Sequence, residues 1–154
     1  MRYINTAVKT ASGVATCFAT SALFIGCSVM FVAPYDETTD RLLTDLSVKT
    51  ETAVAQADAG QLSEKDREAF FDTAIGTVRT LKARSSLFAK NEREIHALGE
   101  LEKRYQDLRE HGAQPRSSLA TGLRATLLDL QQIQIAKKRS NAFTTGLKKS
   151  SASP

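Results

Sequence analysis

Apolar positions along the chain fall into two rhythms. From Ala11 to Ala33 apolar and small residues follow one another almost without a break, and no charged residue occurs between Thr10 and Tyr35. After Pro34 the rhythm changes to apolar residues three and four apart, the repeat of one helical face. This pattern occurs four times. The first stretch begins near Asp36 or Thr39 and runs to about Ala57, carried by Leu42, Leu43, Leu46, Ala53, Val54 and Ala57, with Asp58-Ala59-Gly60 as its stop. The second starts at Ser63, whose hydroxyl is placed to cap the helix with Asp66 as reciprocal partner. Its face is Phe70, Phe71, Ala74, Ile75, Val78 and Leu81, closing at Arg84-Ser85-Ser86.

The third stretch opens with Asn91 and Glu94 at capping-box spacing and continues through Ile95, Leu98, Leu101, Tyr105 and Leu108. Intervals alternating between three and four predict a narrow, coiled-coil-like seam. Gly112 and Pro115 end it. Ser117 or Ser118 is expected to cap the last helix, with Leu119, Leu123, Leu127, Leu130 and Ile133 or Ile135 facing inward. Lys137-Lys138-Arg139 closes it, placing cations at the negative end of the helix dipole. Residues 140–154 turn to Ser, Thr, Ala and Lys, a composition that predicts a disordered tail. No stretch alternates with strand periodicity. Short connections make neighbouring helices antiparallel, so the expected fold is all-α, a three- or four-helix up-and-down bundle after an N-terminal signal or anchor segment.

The continuous apolar run is a membrane-directed leader. Arg2 and Lys9 precede it with no acidic residue, the layout of a secretory signal. Leu23-Phe24-Ile25-Gly26-Cys27 resembles the lipobox of bacterial lipoproteins, in which a small residue precedes a cysteine that receives diacylglycerol. Gly26 and Cys27 match it; Phe24 stands where leucine is usual. Cys17 follows Thr16 and only a short apolar run, which makes Cys27 the lipidation candidate. On this reading residues 1–26 are a signal peptide, 27–139 the helical bundle domain and 140–154 the tail. The alternative is an uncleaved transmembrane helix over 11–33, because about 23 apolar residues suffice to span the hydrocarbon of a bilayer. A buried core helix is the third reading, disfavoured by the lack of a polar face. Basic residues ahead of the run keep that end cytoplasmic and put the remainder outside.

Composition narrows the function. The 154 residues carry a formal charge of +4. Without residues 1–26, and so without Arg2 and Lys9, it falls to +2. Phosphate binding needs a concentrated basic face, and the chain has no Trp and few aromatics for base stacking, so nucleic acid is not an expected partner. Both cysteines lie in the leader, which removes thiolate chemistry from the bundle. A di-iron bundle needs Glu-x-x-His on two helices; Glu94 and His96 are only two apart, and the other histidine, His111, sits beside Gly112. No Gly-x-Ser-x-Gly elbow or phosphate loop occurs. Carboxylates such as Glu100 and Glu102 read as solvated helix surface, Glu100 with Arg104 four residues on. No catalytic, cofactor-binding or metal-ligating residue is therefore expected, nor a small-molecule substrate. The basic C-terminal residues Lys137, Lys138, Arg139, Lys148 and Lys149 complement the helix dipole and aid solubility, with contact to anionic lipid or envelope polymer as the other reading.

The chain also resembles a group of small lipoproteins from Gram-negative bacteria. The resemblance rests on Cys27, then Tyr35-Asp36-Glu37-x-Thr39-Asp40, Asn91-Glu92, Leu101-Glu102 and Ala136-Lys137-Lys138-Arg139, and spans roughly residues 27–139. It implies a lipid-anchored envelope protein with no established activity. Ser28 in place of the Asp that retains such proteins in the inner membrane implies the outer membrane, facing the periplasm. The expected role is non-enzymatic and structural or interacting, with an envelope protein as partner. A single-pass inner-membrane accessory subunit is the alternative.

Overall fold

Each helix begins and ends where a local group can satisfy its free backbone atoms. The computed structural model describes residues 33–150, with side-chain surroundings as far as residue 143. Among these are four helices and no strand: α1 (Glu37–Asp58), α2 (Glu64–Ser85), α3 (Glu92–Glu110) and α4 (Ser117–Ser150). Asp36 caps α1, its carboxylate accepting from the Thr38 amide at 3.1 Å. Ser63 caps α2 as expected, accepting from the Asp66 amide at 3.1 Å. Gly60 and Gly112 adopt φ of 67° and 60° just past α1 and α3. The following amides fold back onto Gln56 and Leu108 carbonyls at 2.8 and 3.0 Å, the turn for which a residue without Cβ is favoured.

The helices form a closed ring in which, among the described residues, backbones approach only between neighbours: α1 with α2 and α4, and α3 with α2 and α4. Arg124 of α4 meets Glu51 of α1 at 2.7 Å, and Ser117 meets Asp58 further down the same pair, so α1 and α4 run antiparallel. Arg79 on Glu102 and Arg109 on Glu68 fix α2 against α3 in the same sense. This is an up-and-down four-helix bundle. Leu43 and Leu46, Phe71, Val78 and Leu81, Leu98 and Leu101, and Leu123, Leu127 and Leu130 meet in one core. Tyr105 is wholly buried there, shares a 2.6 Å hydrogen bond with Thr50, and meets the Phe70 ring edge-on at 6.0 Å. Among the described residues no helix is long and apolar enough to cross a membrane.

Several expectations are corrected. Leu119 lies in the first turn of α4, outside the ring, and is 51% exposed. Of the two isoleucines, Ile133 turns inward and Ile135 outward. Asn91 precedes α3 but makes no side-chain cap bond, because its amide and Glu94 are both engaged deeper in the bundle. Neither Ser117 nor Ser118 caps α4; Ser117 is its first residue, and its amide is bound by Asp58 from the end of α1 at 3.1 Å. The tail expected from residue 140 is helical as far as Ser150, continuing α4 beyond Arg139. Ser and Thr weaken a helix without breaking it, and the absence of Pro and of any acidic residue between 140 and 150 lets the helix continue. Residues 1–32, with Cys27 and the whole leader, lie outside the described residues.

Burial pushes the Tyr105 hydroxyl from 10.0 up to about 12. A hydrogen bond to Asp40 pushes Tyr35 from 10.0 up to about 12 as well. Both groups favour the protonated, folded state, so their contribution is complete below pH 10 and is lost as pH rises toward 12. Tyr105→Phe should lower stability at neutral pH by about 1 kcal/mol through the lost Thr50 bond. It should also shallow the alkaline loss, as followed by urea denaturation at stepped pH, while Tyr35 keeps part of that slope.

Candidate functional site: a buried polar layer

The buried faces follow a stricter spacing than the apolar residues alone reveal. One row of buried positions in α1 is Thr39, Leu43, Leu46, Thr50, Ala53 and Ala57, with Val54 beside it; in α2 the row is Arg67, Phe71, Ala74, Val78, Leu81 and Ser85, with Ile75 beside it. Along α3 and the Asn91 that precedes it the row is Asn91, Glu94, Leu98, Leu101 and Tyr105, with Ala97 beside it; along α4 it is Ala120, Leu123, Leu127, Leu130, Gln134 and Lys137, with Ile133 beside it. Every interval is three or four in alternation, the heptad seam of a coiled coil. The seam continues through polar residues at both ends of the bundle, and at one end three of them, Ser85, Gln134 and Lys137, meet Glu94.

The Glu94 carboxylate lies at the centre, 1% exposed. One oxygen accepts the Ser85 hydroxyl from the last turn of α2. The other accepts the Gln134 amide at 2.7 Å and the Lys137 ammonium, both from α4. Lys137, also buried, donates to Asn91 Oδ1 at 2.6 Å, and the Asn91 amide donates to the Ser85 carbonyl at 3.0 Å. Three helices are thus tied through one carboxylate. Gln134 Oε1 is buried and meets no donor of the protein. The turn into α3 is made by Lys90 at a φ of 64°.

Beside this layer the chain enters the bundle. Asp36 accepts from Arg84 Nη2 at 2.8 Å, from Arg84 Nε at 3.1 Å and from the Thr39 hydroxyl at 2.8 Å. Burial alone raises the Asp36 carboxyl, but the Arg84, Thr39 and Thr38 bonds outweigh it and hold it below its ordinary value. The Tyr35 hydroxyl donates to Asp40 at 2.8 Å, and its ring lies 5.6 Å from Lys138 Nζ. A groove of about 220 Å³ borders the layer, lined by Asn91, Arg93, Glu94, Ile133 and Lys137 among others. A larger one of about 380 Å³ between α1 and α2 is lined mainly by apolar or small residues such as Leu46, Ala53, Phe70 and Ala74.

The layer acts as a latch. Glu94 spends both oxygens on internal donors, and the Lys137 ammonium is held by two acceptors, so neither is poised toward an incoming group. Arg67 at the other end is buried too, paired with Glu64 and Glu68 and 5.9 Å from the Phe71 ring centroid. His96 and His111 are exposed, His111 hydrogen-bonded to the Asp107 carbonyl at 2.6 Å. Among the described residues no group of three or more His, Cys, Asp or Glu is placed to hold a metal ion. Sequence reading took Lys137 for a dipole-complementing cation and Glu94 for a cap. The missed signal was the seam itself, which reaches Gln134 and Lys137 at the same spacing as Leu127 and Leu130. Comparison of the chain with protein-family models, curated proteins and solved structures found no match.

Removing one member of a buried ion pair strands the other, typically at 3–5 kcal/mol. Lys137→Met should therefore destabilise the bundle by about that amount. Adding Glu94→Leu to Lys137→Met should recover most of the loss. The paired variants, measured by circular dichroism in urea, would contradict the latch if Lys137→Met were neutral.

Proposed function

We propose that this chain is a lipid-anchored cell-envelope protein whose bundle serves a non-enzymatic, interacting role. The observation that carries the reading is the uncharged run from Thr10 to Tyr35, with Gly26-Cys27 inside it, joined directly to the first helix. Two or three acyl chains on Cys27 would hold the bundle at a membrane where a single chain would not. The bundle's own chemistry agrees with such a role: its buried polar groups are bound to one another and fix helix register. By the lipoprotein resemblance the location is the outer membrane, with the bundle in the periplasm and another envelope protein as partner.

A second reading is supported by the apolar character that continues past Cys27 to Ala33, about enough to span a bilayer. In it the chain is a single-pass inner-membrane protein, an accessory subunit of a membrane complex. Palmitate labelling of cells expressing wild type and Cys27→Ser separates the two. The lipid-anchored reading expects the label and the gel-mobility shift to vanish in the variant. Label retained, or no label in wild type with membrane association intact, would favour the spanning helix. Cross-linking from the Tyr35–Asp40 region in intact cells should then capture one defined envelope protein.

A further inference from the structure

Helix α4 is 34 residues long, whereas α1, α2 and α3 have 22, 22 and 19. Its start is level with the end of α1 through Asp58 and Ser117, so the excess is all at its C-terminus. Lys138 lies level with Tyr35, just before α1 begins. Beyond that point α4 continues for about twelve residues, roughly 18 Å, past the start of α1. It projects from the end of the bundle at which α1 begins.

Charge and apolar exposure then say what the projection suits. From Leu130 to Pro154 there is no acidic residue, while Lys137, Lys138, Arg139, Lys148 and Lys149 are basic; the first 129 residues sum to −1. Lys137 is consumed by Glu94, but Lys138 and Arg139 are exposed. Ile135, Lys138, Arg139, Ala142 and Phe143 recur at steps that place them on one side of the helix. Phe143 is 71% exposed and Ile135 42%. Cations flanking an exposed apolar side are the make-up of a helix that lies in a membrane interface.

The geometry points to the C-terminal part of α4, from Ile135 through Phe143 and onward, as a second membrane contact that docks on an anionic lipid surface. It deepens the anchored reading above and rests on it. The leader brings the bundle to the bilayer, and the α4 projection sets its orientation by laying its basic, apolar side on the headgroups. Each cation near an anionic surface favours the docked state roughly fivefold, an attraction screened by salt.

Because the chain has no Trp, Phe143→Trp is a single reporter in the full-length protein. The protein is reconstituted into phosphatidylcholine vesicles with or without phosphatidylglycerol. In the anionic vesicles the emission should shift to the blue, be quenched by brominated lipid and resist acrylamide. The shift should reverse at about 1 M salt, where the screening length falls to about 3 Å. Adding Lys138→Gln, Arg139→Gln, Lys148→Gln and Lys149→Gln should abolish it while the protein still floats with the vesicles. A Leu119→Trp reporter at the far end should stay accessible throughout. Emission that is the same in neutral and anionic vesicles would overturn the proposal. So would a blue shift in detergent micelles that grows with protein concentration, which would assign the face to a second copy. Failure of the wild-type chain to float at all would instead refute the anchored reading, and the docking proposal with it.

Discussion

A carboxylate buried among helices must be fully hydrogen-bonded, and in this bundle Glu94 imposes that requirement on three helices together. Its donors come from Ser85 at the end of α2 and from Gln134 and Lys137 near the end of the core of α4. Apolar contact is non-directional and would tolerate α4 sliding by a turn against its neighbours. The Glu94 bonds would not, since a slip of one turn, about 5.4 Å, leaves a buried charge without a partner. The polar layer thereby sets where α4 stands in the ring. Polar residues at seam positions are known to fix register in coiled coils at some loss of stability, and the same logic applies here.

The remaining polar contacts share that division of labour. The α1–α2 seam is bridged by Asp36 and Arg84, the α3–α4 seam by Arg93 and Asp129, and the α4–α1 seam by Arg124 and Glu51. Such pairs are partly exposed and contribute roughly 0–1 kcal/mol each, so the core supplies the stability and the pairs select the arrangement. Thr50 and Tyr105 do the same at mid-height, where a hydroxyl at a seam position in α1 answers the only hydroxyl in the apolar part of α3.

Fixing α4 in register has a consequence at the end where the chain enters. With Lys137 committed to Glu94, Lys138 falls beside Tyr35, just ahead of α1, and α4 continues from there to Ser150. The basic, partly apolar end of α4 is therefore carried past the start of α1. The start of α1 and the end of α4 are far apart in sequence and are brought to one end of the bundle by an even number of antiparallel helices.

How much of this was legible beforehand follows from the physics of each feature. Helix limits at Gly60, Ser63 and Gly112 depend on groups within a few residues, and the sequence alone determined them. The same holds for Leu98, Leu101, Leu127 and Leu130 as core, because helical spacing of large apolar side chains has few alternatives. The lipid candidate at Cys27 is likewise a matter of sequence, lying outside the described residues. Tertiary structure decided the rest. Whether Glu94 caps its own helix or binds Lys137 depends on what stands 43 residues away. Whether Ser117 acts as a cap or is itself held by Asp58 depends on the end of α1. The choice of Ile133 over Ile135 also required the ring to be closed. Local signals record what a segment can satisfy by itself; a buried charge is satisfied only by a partner that folding brings to it.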